Sequence, residues 1–185
     1  MSFIQLETPR LLLRQWREKD LEPFTAMNLD PQVMRYFPET RTPSQTRAFY
    51  ERIQQEFTEK GYGLYAAEEK ASGRFMGFIG FHGADFAADF CPCVEIGWRL
   101  DVPFWNRGYA TEGASACLAM GFEQIGFEQV YSFTAVPNYP SRRVMEKLGM
   151  EFYASFDYPG IPEGHLLRPH VCYWMTREQW RGKNR

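Results

Sequence analysis

The run Arg107-Gly-Tyr-Ala110 joins a glycine, which lets backbone approach a ligand closely, to residues able to open a helix. The first N–H groups of a helix lack intrahelical acceptors and lie at the positive end of its dipole, so this spacing suits an anion, phosphate being the usual one. A glycine in a strand-to-helix turn also meets purely steric needs, and the run by itself leaves both readings open. Further along, Ser141 shares a helical face with Val144, Met145 and Leu148, which points its hydroxyl inward. There it is open to an interior role or simply bonds the preceding backbone. Arg142 and Arg143 fall in the first turn of the same helix, where each cation opposes the dipole at a cost of ~0.3–1 kcal/mol and a nearby phosphate would reverse the sign. Solvated arginines are the simpler alternative. Glu95 is a candidate general base, with a surface or ion-paired role as its alternative and Glu68 as the competing carboxylate.

These side chains need elements to hold them. Cys93 to Leu100 alternates, with Val94, Ile96, Trp98 and Leu100 on one face and Cys93, Glu95, Gly97 and Arg99 on the other, the period of a strand. Gly97 in that run suggests a bulge, a backbone left open to a ligand, or relief of crowding. Beyond the turn, Ala110, Ala114, Cys117, Leu118, Phe122 and Ile125 form a helical stripe. Residues 130 to 136 read as a strand, and Asn138 caps a helix that Gly149 terminates, so a right-handed crossover joins a parallel strand pair.

Upstream, Thr8 to Trp16 reads as a first strand, and Leu21, Phe24 and Met27 mark a short helix. A longer one follows, with Thr42 and Gln45 at capping-box spacing, Pro43 at its first position and its end near Gly61. Residues 62 to 68 and 74 to 82 form a hairpin, with Phe75, Ile79 and Phe81 on one face of its second strand and Met76 and Phe78 on the other. The connection 83 to 92 carries Phe86 and Phe90, either packed or free to meet substrate or a second subunit. Residues 150 to 157 and 170 to 176 read as the last strands, before a basic, frayed tail.

The 185 residues, 44% hydrophobic and 24% charged, fit a single domain with a sizeable core. A net charge of −2 argues against nucleic acid as the main partner. No apolar run approaches the ~18 residues of a membrane span and no secretory leader is evident, which makes a cytoplasmic protein the expectation. Cys91, Cys93, Cys117 and Cys172 lack metal spacing and are expected to be reduced thiols. The histidines His82, His165 and His170 form no metal or nucleophile pattern, and a G-x-G-x-x-G after a strand is missing, which disfavours nicotinamide chemistry.

Taken together, Val94-Glu-Ile-Gly-Trp-Arg-Leu100, Phe104-Trp-Asn-Arg-Gly-Tyr-Ala-Thr-Glu112 and Asn138-Tyr-Pro-Ser-Arg-Arg-Val-Met-Glu-Lys-Leu-Gly149 resemble the GNAT superfamily of acetyl-CoA-dependent N-acetyltransferases, and within it the ribosomal-protein N-terminal (alanine/serine) acetyltransferases. Trp105 stands where the superfamily usually has Gln or Arg, three residues before Gly108. The resemblance covers nearly the whole chain. It implies an α+β fold with a central mixed, mostly antiparallel sheet of six to seven strands, about four helices, and a splay at the coenzyme cleft. The domain would span residues 1–185, with 177–185 frayed.

The resemblance also implies a role for acetyl-CoA as co-substrate, with no metal. Amides of Arg107, Gly108, Tyr109, Ala110 and Thr111 would hold the pyrophosphate, backbone of Trp98, Leu100 and Val102 the pantetheine arm, and Asn138 the coenzyme arm. Ser141 would protonate the departing thiolate. Arg143 as a phosphate contact and Glu95 as the base are readings from the residues themselves. His165 and His170 lie in a late connection that in this superfamily often borders the acceptor site. The acceptor would be a small-molecule amine or a protein N-terminus, and the chain a monomer or homodimer. A non-catalytic acyl-CoA-binding module is the rival class.

Overall fold

The structure is a computed structural model describing residues 5–183. In chain order these form β1 (Leu6–Glu7), β2 (Leu11–Arg14), α1 (Leu21–Leu29), α2 (Pro43–Lys60), β3 (Leu64–Glu69), β4 (Arg74–Ala84), β5 (Cys93–Leu100), α3 (Tyr109–Met120), β6 (Gln129–Ala135), α4 (Tyr139–Leu148), β7 (Glu151–Asp157), β8 (Pro169–Thr176) and α5 (Arg177–Lys183). The strands pair in the order β1-β2-β3-β4-β5-β6-β8-β7. Pairing is antiparallel from β1 to β4 and among β6, β8 and β7, and parallel between β5 and β6, where Glu95 lies opposite Tyr131. The fold is therefore mixed α+β with a mostly antiparallel sheet. There are eight strands rather than six or seven because Leu6–Glu7, ahead of the expected first strand, folds back onto β2 through a turn in which Thr8 N–H donates to Leu11 O. Among the described residues no helix is long and apolar enough to cross a membrane.

By its internal packing the chain forms two compact units. One comprises the residues up to His82 with Gly97–Cys117, the other Gly83–Ile96 with the residues from Leu118 onward.

In the first unit α2 begins as its sequence dictates. Thr42 Oγ1 accepts from Gln45 N–H, Gln45 Oε1 accepts from Thr42 N–H, and Gly61 closes the helix in a left-handed conformation. Trp16, Phe24, Phe49, Phe75 and Phe78 pack in tilted and edge-to-face pairs around α1 and α2. Phe75 therefore shares the face of Phe78 and not, as alternation alone implies, that of Ile79. The physical reason is a register shift: Ala67 pairs with Gly77 and Glu68 with Phe75, leaving Met76 as an extra residue that breaks the period of two. Ile79 lies on the other side, where Gly113 lets α3 settle onto it.

A buried ionic fork fixes the sheet edge. Arg14, 2% exposed, donates to both oxygens of Asp20 at 2.7 and 2.9 Å and from Nε to Glu68 Oε2 at 2.8 Å. Glu68, the competing base, is thus held by a buried arginine.

In the second unit Phe86 and Phe90 pack with Tyr131, Phe133, Phe156 and Cys172, so the 83–92 connection is a packed loop. Residues 177–183 were expected to fray; they form α5. Trp180 explains why, since it is buried, stacks on Phe122 and donates from Nε1 to Glu123. Residues 184 and 185 lie outside the described residues.

Candidate active site

In the first unit β5 runs into a tight turn before α3. Asp101 N–H donates to Met76 O, the Asp101 carboxylate accepts from Val102 N–H, and Trp105 Nε1 donates to Leu100 O at 2.7 Å. Two left-handed residues follow, Asn106 at φ 58° and Gly108 at φ 79°. Such alternation curls the backbone into a concavity of N–H groups. The first helical bond is Glu112 N–H to Gly108 O, and among the described residues the amides of Gly108, Tyr109, Ala110 and Thr111 have no acceptor. A Cβ built at Gly108 would meet only Arg10 Nη2, at 3.5 Å. The glycine is there for its conformation, and the space beside it is open.

What pins this turn is a set of residues that the motif does not contain. Glu112 accepts from Thr8 Oγ1 at 2.6 Å, from Arg10 N–H at 2.9 Å and from Arg10 Nε at 2.6 Å, while Arg10 Nη1 donates to Arg107 O. Arg10 also lies over the ring of Tyr109, whose hydroxyl donates to Glu69. The only signal in the sequence was an acid in the first turn of a helix, which names no partner 102 residues away.

Burial alone would raise the pKa of Glu112, but the hydrogen bonds from Thr8 and Arg10 outweigh it and hold the carboxyl below its ordinary value. A depressed carboxylate pKa contributes stability above the unfolded value that is lost as pH falls through the folded one. Glu112→Gln should therefore cost about 1–2 kcal/mol at pH 7, with the gap to wild type closing toward pH 3. Urea unfolding across that range is the measurement, and a gap that stays constant with pH would contradict the assignment.

In the second unit α4 opens at Asn138. Its Oδ1 accepts from Ser141 N–H at 3.3 Å, and its Nδ2 donates to Thr134 Oγ1 at 2.8 Å and to Ser141 Oγ at 3.1 Å. Ser141 is half-buried, and Met145 and Leu148 are buried below it, as the helical stripe requires. Because Ser141 Oγ accepts from Asn138, its own proton is available to another group. Thr134, on β6, is the partner that sequence reasoning missed. Arg143 is exposed and makes no side-chain hydrogen bond or ion pair among the described residues. Arg142 instead turns back, with Nη1 donating to Val136 O and Nε buried without a partner.

Glu95 is 9% exposed, on the buried part of β5 beside Cys93 and Cys172. Burial raises both thiols, and the Glu95 charge adds to the effect. Cys91 and Cys93 stand 4.0 Å apart at sulfur, within reach of a thiol hydrogen bond and without a disulfide. His165 Nδ1 accepts from Leu167 N–H, and His170 is buried, stacked on Tyr158 and shifted downward in pKa by that burial. Both histidines have structural partners. The site residues thus fall into two groups: Trp98, Leu100, Val102 and Arg107 to Thr111 in the first unit, and Glu95, Asn138, Ser141 and Arg143 in the second.

Comparison with known proteins gives the family and the fold. The family model for the acetyltransferase (GNAT) domain matches residues 10–151. The uncharacterised N-acetyltransferase YnaD of Bacillus subtilis is 29% identical over 180 residues, covering 96% of this chain and 99% of its own. The crystal structure of a GNAT-family acetyltransferase from Bacillus anthracis superposes with a TM-score of 0.78 at 29% identity, over 95% of this chain and 99% of that one. The ribosomal-protein-S5-alanine acetyltransferase of Vibrio fischeri shares the fold with a TM-score of 0.72 at 13% identity, over 96% of this chain and 98% of its own. Because the family model spans well over half of the chain, the chain belongs to the GNAT family of acetyltransferases.

Proposed function

We propose that the protein moves an acetyl group from acetyl-CoA to a primary amine by direct attack, both substrates being bound together. The observation that carries this reading is the mouth of α3, where four amides lack acceptors among the described residues beside an open, left-handed Gly108. That cradle fits a pyrophosphate. Amides from Arg107 to Thr111 would hold it, backbone of Trp98, Leu100 and Val102 would pair with the pantetheine arm, and Asn138 would meet the arm. Arg143 would add a phosphate contact. Bound there, acetyl-CoA would supply an activated thioester.

The chain's own residues then have little covalent work. Ser141, its oxygen held by Asn138, would give its proton to the leaving sulfur. Glu95 would take the proton of the attacking amine, directly or through water. An α-amino group, with a reference pKa of ~7.7–8.0, reaches the neutral form more easily than a lysine at ~10.4.

Acetyl-CoA at about 100 times its Kd should stabilise the protein by about 2.7 kcal/mol, equivalent to roughly 5–10 °C in Tm, and NAD should not. Thiol release across a panel of amines and N-terminal peptides then separates a catalyst from a binding module. Absence of any shift with acetyl-CoA would overturn the coenzyme assignment, and absence of thiol release with every acceptor would overturn the transfer.

A further inference from the structure

Within the first unit lies a buried cation that none of the proposed coenzyme contacts uses. Arg99, on β5, is 8% exposed. Its Nη1 donates to Asn28 Oδ1 at 2.7 Å, and its Nε is buried with no partner. Three rings face the guanidinium, Phe37 at 4.2 Å, Phe78 at 5.3 Å and Phe49 at 6.0 Å. Among the described residues no carboxylate contacts it. Asp101 is turned to Val102 N–H, and Glu39, on the connection between α1 and α2, is exposed and makes no contact with Arg99.

The charge next to Arg99 has the same sign. Arg41, lying over the ring of Phe49, adds to the burial that pulls the Arg99 guanidinium below its ordinary value. A guanidinium does not give up its proton at physiological pH, so the charge stays and must be compensated. Ring quadrupoles and one amide oxygen offset part of that cost. The remaining donor edge suits a planar carboxylate, which accepts from an arginine fork in the plane of the guanidinium. Phe37, 39% exposed and resting on the guanidinium, is the wall that such a ligand would displace. The surrounding chain carries a net charge of −2, so the positive spot is local and not a reflection of overall basicity.

We propose that Arg99 binds a carboxylate of the acceptor, so that the preferred substrates are small molecules carrying an amine and a carboxylate together, as amino acids do. The inference rests on the acetyltransferase reading above and adds the acceptor class to it. The test uses matched pairs, each an amino acid and its carboxamide, with rates compared per unit of neutral amine because the two amines differ in basicity.

Wild type should favour the acid by about 10- to 100-fold in kcat/KM, the worth of one charge-assisted hydrogen-bonded pair. Arg99→Met, which keeps the aliphatic stem, should abolish that preference by lowering kcat/KM for the acid alone, with stabilisation by acetyl-CoA unchanged. Equal use of acid and amide by wild type would overturn the proposal, and so would an equal loss of both in Arg99→Met. If wild type acetylates no amine, the transfer reading is what fails. Calorimetric binding of the amino acid and its amide to the wild type and to Arg99→Met then decides the carboxylate site alone: binding of the acid only, lost in the variant, upholds it, and any other pattern overturns it.

Discussion

Gly77→Ala should destabilise the protein by about 3–5 kcal/mol, far more than alanine at an exposed turn. Gly77 lies in β4 at φ 129°, a conformation that side-chain-bearing residues rarely adopt. Its Cβ would stand 2.0 Å from the carbonyl oxygen of Arg99 and 3.0 Å from Leu100 Cα. Both obstacles are backbone of the neighbouring strand, so no rotamer change relieves them. Gly73 is the control: its φ is 66° and nothing lies within 4 Å of its Cβ, so Gly73→Ala carries the conformational cost alone, about 1–2 kcal/mol. Urea midpoints of the two variants against wild type make the comparison. A Gly77→Ala midpoint no lower than that of Gly73→Ala would show that β4 and β5 can part at no cost.

The same position shows where the sequence ceases to be readable. Alternating apolar residues marked β4 as a strand covered on both faces, and it is. Which residue faces which way depends on Met76 being extra, and that follows from the pairing with β3, not from the run itself. Elements governed by neighbours in the chain were legible almost to the residue. The capping box of α2 and the Asn138 and Gly149 ends of α4 use groups within three or four positions of the backbone that they satisfy. The helix at 177–183 was not legible, because the ring that anchors it, Phe122, lies far away in the chain.

For the candidate site the division is the same. Glycine and the apolar stripe beyond it identified the turn at 105–111, but not Arg10 and Thr8, which hold it through Glu112. Period-two alternation placed Arg99 with Glu95 on one face of β5, yet could not show that the α1–α2 connection covers that face with Phe37. A charged residue in a strand reads as exposed until the covering element is known, and the cover here comes from more than sixty residues earlier in the chain. Burial turned Arg99 from an ordinary strand cation into a buried charge that contacts no carboxylate among the described residues.

Ser141→Ala should lower the turnover of acetyl transfer about 100-fold while leaving acetyl-CoA affinity within about 2-fold, if Ser141 supplies the proton to the leaving thiolate. The geometry allows the two effects to be separated. What caps α4 is the Ser141 backbone N–H donating to Asn138 Oδ1, and alanine keeps that bond. Asn138 Nδ2 loses Ser141 Oγ but retains Thr134 Oγ1, so the stability cost should stay below about 1 kcal/mol. A large fall in kcat with an unchanged unfolding midpoint therefore reports chemistry and not a loosened helix. Glu95→Gln completes the experiment from the other side of the proton balance. Removing a base should abolish the acidic limb of the pH–rate profile, whereas removing an acid should alter the basic limb. A Ser141→Ala enzyme with wild-type turnover would leave the leaving thiolate to be protonated by water, and would reduce Asn138 and Ser141 to the cap of a helix.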